Sequence, residues 1–336
     1  RYWMALPNYK VGERLRITGV VSTEPIVYEN NQRVSIEGFN AYVDLYPRIY
    51  YGDRLVMEGM VGEKQKLLDP KIVNQSIGGN WIYTLRRSIV SFYQRSLPPR
   101  HAALVSGMVL GSREGMSQVF WEQLVDAGVV HVVVASGTNV VLVGGFFVNV
   151  LIIFVSRKKA VVLAMLCIWF YTLFSGFDAP LVRAAIMGTI VFTAQVLGRL
   201  SSAIRALIIS VFIMLLIKPM WIRDVGFVMS FAATASLMLF ESKISRLIFR
   251  VPKIIRNDLS TTLAAQIGVL PILMFVFGRV SFVAPITNTL ILWTVVPIMI
   301  VGGLAGLLSM VYEPLAAFVL LFAYPLTNWF VFIVNM

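Results

Sequence analysis

Histidine and cysteine are almost missing from this sequence: His101, His131 and Cys167 are all that 336 residues provide. Hydrolytic metal centres need several His, Asp or Cys ligands. Two histidines 30 residues apart and one thiol do not supply them, so no metal site is expected. One cysteine also excludes an intrachain disulfide, and its place in an apolar run argues against a thiol cofactor. A glycine-rich phosphate loop of the G-x-x-x-x-G-K-S/T type is missing too, so any ATP-driven motor must be another protein. Acidic side chains are scarce, 17 against 29 Lys and Arg. No cofactor and no catalytic centre are expected in these residues.

What is present is apolar. Hydrophobic residues make up 58% of the chain and the mean hydropathy is +0.78, which indicates an integral membrane protein. Charge is spread unevenly. Residues 1–80 hold 10 basic against 9 acidic side chains, whereas residues 81–336 hold 19 against 8. Such a bias usually reports orientation across a membrane, and only sometimes a polyanionic ligand. The chain opens on Arg1 without a signal-peptide pattern and stops at Met336 inside an apolar run, so it is expected to be part of a longer protein.

Residues 1–80 are expected to form a small all-β domain. KVGERLRITGVV and YYGDRLVMEGMV are near-copies roughly 40 residues apart, each a turn followed by alternating apolar and polar positions. RVSIEGFNAYVDL and KIVNQSI complete about five short strands, which suits a closed barrel of the OB type. Such barrels can bind single strands through aromatic and basic side chains. Tyr28, Arg33, Tyr42, Arg48, Tyr50 and Tyr51 are the candidates; ordinary strand aromatics and solvated charges are the plainer reading, since this segment is nearly neutral.

Residues 81–128 read as amphipathic interfacial helices. WIYTLRRSIVSFYQRSL has apolar residues at helical spacing with Arg86, Arg87 and Arg95 between them, the pattern of a helix lying on a membrane surface. HAALVSGMVLG is too short to cross alone, and SQVFWEQLVDAG is a second amphipathic helix with Ser117 as its N-cap. Residues 129–336 then give seven or eight spans, near 129–155, 160–176, 181–198, 203–217, 225–241, 259–277, 282–310 and 315–335. Pro285 and Pro297 leave open whether 282–310 crosses once or twice. With one crossing, one side receives 10 basic residues: Arg157, Lys158, Lys159, Arg199, Arg205, Lys243, Arg246, Arg250, Lys253 and Arg256. By the positive-inside rule that side is cytoplasmic. The β domain, His131 and Met336 then lie outside.

Polar groups at membrane depth are costly and mark function. His131 opens HVVVASGTNVVLVGGFF, which carries Ser136, Gly137, Thr138 and Asn139 in its first half. Ser136-Gly137 is a place where the helix can break and open backbone groups to a cavity; an interfacial histidine with small residues for close packing is the alternative. ASG at Ser136 is similar to the serine motif of rhomboid-type intramembrane proteases, yet no histidine follows His131 to pair with it. Arg183, Lys218, Arg223 and Arg279 fall on the outer side, where orientation does not explain them. As an outer cation cluster they would concentrate phosphates at a pore mouth. Asp178 and Asp224 sit at helix starts, where an acidic residue suits the dipole.

From about Leu104 onward the chain resembles the ComEC family of competence proteins. SGMVLGSREGMSQVFWEQLVDAGVVHVVVASGTNV is similar to that family's Leu-Gly…Gly-x-x-His-x-x-x-x-Ser-Gly signature. PLVRAAIMG, GRLSSAIRALIISVFIMLLIKPMWIRDVGFVMSF and LAAQIGVLPILMFVFGRVS follow in the family's order. The resemblance departs at Asn139, where family members usually carry a second histidine. It implies a polytopic α-helical protein of the bacterial cytoplasmic membrane that passes single-stranded DNA inward. An outer OB-like domain would guide the strand, a DNA receptor would stand outside, and an ATPase or helicase would pull from the cytoplasm. Any nuclease would lie in a metallo-β-lactamase-like domain that this chain lacks. Carried onto matching positions, the path residues are His131, Ser136, Gly137, Asn139, Arg183, Asp224, Ser230, Gln266 and Arg279. Two other readings stay open: a transporter for a smaller anion, with a tight site near midplane, and a membrane scaffold whose β domain binds nucleic acid.

Overall fold

The computed structural model describes residues 11–21, 23–28, 31–63, 66–76, 81–134, 136–199, 202–278, 281 and 283–336. The near-copied segments become β1 (Arg14–Val20) and β5 (Arg54–Val61). They pair antiparallel, Arg14 opposite Met60 and Val20 opposite Arg54. With β2 (Ile26–Val27), β3 (Asn31–Ile36), β4 (Phe39–Asp44) and β6 (Lys66–Ser76) they form a sheet of order β1-β5-β6-β4-β3-β2. β4 and β6 run parallel, and a bridge from Val21 to Ile36 joins the end of β1 back to β3. Alternate residues point inward, as a two-residue period dictates, so Ile17, Val34, Ile36, Leu55, Met57 and Leu67 make one core.

One buried polar side chain shapes the functional end of this domain. The Gln32 amide donates to Asp44 O, Leu45 O and Pro47 O, and its carbonyl accepts from Ile49 N. Gln75 Nε2 donates to Arg48 O and to Asp53 Oδ2, while Tyr50 N donates to Asp53 Oδ2. These bonds fix the 45–53 loop, and with it Arg48 and Tyr50.

The helices are α1 (Trp81–Ser96), α2 (Pro99–Leu110), α3 (Gln118–Asp126), α4 (Val130–Val133), α5 (Gly137–Leu151), α6 (Arg157–Phe174), α7 (Ala179–Val196), α8 (Ala203–Ile217), α9 (Val225–Leu247), α10 (Lys253–Phe277), α11 (Ala284–Leu308), α12 (Glu313–Leu320) and α13 (Tyr324–Val334). Among the described residues, six stretches are long and apolar enough to cross a membrane: Val130–Leu151, Ala179–Val196, Val225–Leu247, Arg256–Val276, Ala284–Leu308 and Glu313–Val334. Their outward faces keep large apolar groups exposed, among them Phe275, Trp293 and Phe318, as contact with hydrocarbon requires. This is a multi-pass membrane protein. The expected seven or eight spans included α6 and α8. α6 opens on three consecutive cations; α8 has 15 residues, about 22 Å of helix against a hydrocarbon core of about 30 Å. The question at Pro285 and Pro297 is answered by one unbroken 25-residue helix, with Pro285 in its first turn, where its missing N–H costs nothing.

α1 and α2 differ from the surface-lying arrangement expected. Joined at Pro98, they fold back on each other and pack against α11, α12 and α13. Residues 101–110 are buried throughout. Tyr93 OH donates to Gly302 O at 2.7 Å, Arg95 pairs with Glu313 at 3.0 Å, and His101 Nδ1 meets Thr327 Oγ1 at 3.0 Å. The reason is packing: Ile89, Phe92 and Tyr93 and the whole of α2 find partners in α11 and α13, one continuous apolar core. α3 keeps the expected character, burying only Phe120 and Leu124, and Ser117 Oγ caps it by accepting from Phe120 N.

Gly306 allows α11 to approach this hairpin, since a Cβ there would lie 2.4 Å from Tyr93 Oη. Gly306→Ala is expected to cost about 1–3 kcal/mol by overpacking. Adding Tyr93→Phe, which removes that oxygen, should recover part of the loss. Thermal melts of both single variants and the double variant in detergent check this coupling.

Candidate functional site

The span that begins at α4 is interrupted. α4 ends at Val133, Val134 and Ser136 are extended, and α5 restarts at Gly137. Such a break is tolerated at membrane depth only where neighbours satisfy the freed groups, and the end of α2 lies against it. Gly107 makes the approach possible: a Cβ there would stand 2.7 Å from Val133 O. Asn139, 1% exposed, donates from Nδ2 to Met108 O at 2.9 Å and accepts from Ser136 Oγ at 3.1 Å. The break expected at Ser136-Gly137 is therefore present, and Asn139 ties it to α2.

Arg183 meets this break from α7. It is 9% exposed. Its Nη1 donates to Ser230 O at 2.5 Å and to Thr234 Oγ1, both on α9. Its Nη2 faces Gly137, where a Cβ would lie 2.7 Å away. The Nε group has no partner among the described residues, and no ion pair to a carboxylate is formed among them either. Tyr171 OH on α6 sits beside Ser175 and Asn139 without hydrogen-bond geometry to either, and neither it nor Ser106 Oγ on α2 has a partner among the described residues. Buried polar atoms without protein partners point to water or a polar ligand among these helices.

Above the bundle, the β domain is clamped to α1 by a buried pair. Arg86 Nη2 bonds Glu24 Oε1 at 2.6 Å while its Nη1 donates to Phe174 O at 2.8 Å, at the end of α6. Glu24 Oε2 accepts from Arg113 N. Gly52, at φ 86° in the turn before β5, has Tyr83 packed directly against it, the ring 2.3 Å from where a Cβ would be. Tyr51 stands edge-on to Tyr83 at 5.1 Å, and burial pushes its phenol up to about 12, so it stays neutral.

This clamp leaves a cleft of about 1090 Å³ between the domains, lined by Arg48, Arg86, Arg87 and Arg113. Five aromatics share the lining: Tyr28, Tyr50, Tyr51, Tyr83 and Trp121. Arg87 stacks on Tyr50 at 3.6 Å and Arg113 on Trp121 at 4.6 Å. Three carboxylates, Glu24, Glu114 and Glu122, also line it. Burial, with Glu24 nearby, holds Glu114 above the usual carboxylate range. A smaller adjoining cavity of about 290 Å³ shares Glu24, Tyr51, Arg86 and Arg113, and runs from Arg33 and Asn40 of the β domain to Ser175, Gly176 and Asp178 at the ends of α6 and α7.

The expected site residues thus divide. Ser136, Gly137, Asn139, Arg183 and Ser230 come together. His131 is exposed on the short α4. Asp224 caps α9, its Oδ1 accepting from Phe227 N at 2.7 Å, and Gln266 is half-buried on α10. Of the expected outer cation cluster, Arg183 is turned inward to α9, whereas Lys218, over Trp221 at 5.7 Å, and the exposed Arg223 flank one short helical turn. Arg279 lies outside the described residues. In the β domain Arg48 and Tyr50 line the cleft, Arg33 bonds Asn40 beside the smaller cavity, and Tyr42 pairs with Tyr28 at 6.2 Å under Lys66. Among the described residues no group of three metal-ligating side chains converges. Sequence reasoning missed Arg86 as a clamp, though a signal existed: it falls on the apolar stripe Ile82, Ile89, Tyr93, where a solvated arginine does not belong.

A family model described as Competence protein matches residues 108–336. ComE operon protein 3 of Bacillus subtilis (strain 168) is 29% identical over 229 residues, 68% of this chain and 29% of that protein. The chain spans less than a third of that relative's length. No solved structure matches.

Glu24 and Arg86 both precede the matched stretch. Glu24→Ala strands a buried guanidinium and is expected to cost about 3–5 kcal/mol, whereas replacing both Glu24 and Arg86 by apolar residues costs less. Melting curves of the single and double variants decide it.

Proposed function

The chain belongs to the Competence protein family, and we propose that it receives single-stranded DNA outside the bacterial cytoplasmic membrane and passes it through its helical bundle. The observation that carries this reading is the interdomain cleft, where stacked Arg–aromatic pairs open toward the ends of α6 and α7. Guanidinium groups suit phosphates and aromatic faces suit unpaired bases. A cleft with both suits a single strand better than a duplex, whose bases are stacked away.

The β domain supports this as an OB-type barrel. Its first long strand neighbours the fourth and, through Val21, the second; its third runs parallel to its fifth, leaving β2 as an added edge. That is the connectivity of the five-stranded Greek-key barrel that binds single strands. The smaller cavity adjoining the cleft reaches the α6–α7 turn, the face that this reading puts outside. Below it, the break at Ser136, and Arg183, Ser106 and Tyr171 with polar atoms unpartnered among the described residues, give the bundle a polar interior suited to a wet path. A receptor would deliver the strand, a cytoplasmic ATPase or helicase would draw it in, and any nuclease would belong to a domain beyond this chain.

Three outcomes test the cleft, all by fluorescence anisotropy with a labelled oligothymidylate. Arg87→Ala and Arg113→Ala should each lower the slope of log affinity against log salt by about 0.7, the share of one phosphate contact on a single strand. Glu114→Gln should tighten binding at neutral pH. In the unaltered chain, binding should strengthen as pH falls through the raised Glu114 range, because protonation removes a negative charge from the cleft; the Gln variant should lose that part of the response. A slope unchanged in both arginine variants would place the strand elsewhere.

A further inference from the structure

Arg183 poses an electrostatic problem that its surroundings do not solve. Its hydrogen bonds run through Nη1 to neutral acceptors on α9. Its Nη2 faces Gly137, the first residue of α5. A helix start carries unsatisfied N–H groups and a partial positive charge, and this one has no side-chain cap, because Ser136 turns its hydroxyl to Asn139 instead. A fixed cation therefore confronts the positive end of a 15-residue helix in a low-dielectric bundle, with Nε also unpartnered among the described residues. An anion held by the guanidinium alongside the free N–H groups would relieve both. The close approach of Arg183 needs a glycine, and Thr138 beside it is exposed, so the place is not sealed.

We infer that Arg183 and the uncapped start of α5 form a seat for one phosphodiester group of the passing strand. This rests on the translocation reading above. A phosphate monoanion offers acceptors to the guanidinium fork and to backbone N–H groups at once. A single seat also suits passage, since a site that holds each phosphate briefly lowers the barrier to a polyanion without trapping it. Lipid headgroups bear the same chemistry, so the test must separate the two sources.

The experiment uses the full chain in proteoliposomes and follows entry of two fluorescent single strands of one sequence, one with phosphodiester linkages and one with neutral methylphosphonate linkages. The unaltered chain should prefer the charged strand. Arg183→Gln should slow the charged strand about tenfold or more, as loss of one charge-assisted hydrogen bond in a rate implies, and leave the neutral strand little changed. Arg183→Lys should keep part of the preference. Gly137→Ala keeps the charge but pushes the guanidinium off the helix start, and should also slow the charged strand selectively; it serves if the Gln variant does not fold. Equal slowing of both strands would make Arg183 a packing or lipid-binding residue and overturn the seat. Unchanged preference in Arg183→Gln and Gly137→Ala would overturn it as well. No entry of either strand into liposomes carrying the unaltered chain would sink the translocation reading itself.

Discussion

The pair Glu24–Arg86 holds the parts of this protein in their working relation. One guanidinium, 5% exposed, reaches a carboxylate from the β domain and the last carbonyl of α6, and the other oxygen of that carboxylate fixes the loop after α2. Three pieces of chain distant in sequence meet on these bonds. Taking both charges out of water is costly, and the ion pair offsets it with the help of the bonds to Phe174 O and from Arg113 N. The clamp sets the width of the cleft, since Arg87 is next to Arg86 on α1 and Arg113 lies on the clamped loop. It also seats the β domain over the ends of α6 and α7.

The interior follows a different logic. Backbone groups in hydrocarbon must be satisfied, so the gap between α4 and α5 depends on α2, whose buried hairpin supplies Met108 O to Asn139 and space at Gly107. α1 and α2 are too short to cross a membrane separately, yet as a pair against α11 and α13 they form the largest apolar core. The polar break is thereby held by a rigid element. Arg183 then stands against it with its charge unpaired among the described residues.

Much of this was legible in the sequence. The near-copies KVGERLRITGVV and YYGDRLVMEGMV pointed to two strands of one β domain, and both are strands; that they pair with each other is what the structure adds. The small residues at Ser136-Gly137 pointed to a helix break, and the helix breaks there. Ser117 and Asp224 are caps, as their places before helices indicated. Three features were hidden for physical reasons. The burial of α1 and α2 depends on tertiary partners more than 200 residues away, such as Gly302 for Tyr93, and amphipathic spacing does not tell a membrane surface from a protein groove. The outer cations looked like a set because loop sorting assigns a side but not a direction, and Arg183 turns inward. The pairing of Arg87 with Tyr50 joins two segments whose periodicities are independent.

The central claim is that one polar route leads from the interdomain cleft past Arg183 into the bundle. The direct measurement is photo-cross-linking of a labelled single strand stalled in passage by a duplex end, with the photoreactive residue placed in turn at Trp121, Thr138 and Phe212. The account predicts adducts at Trp121 in the cleft and at Thr138 beside the helix break, and none at Phe212 on the outward face of α8. Adducts at Trp121 alone would confine the strand to the cleft and contradict a path through the bundle.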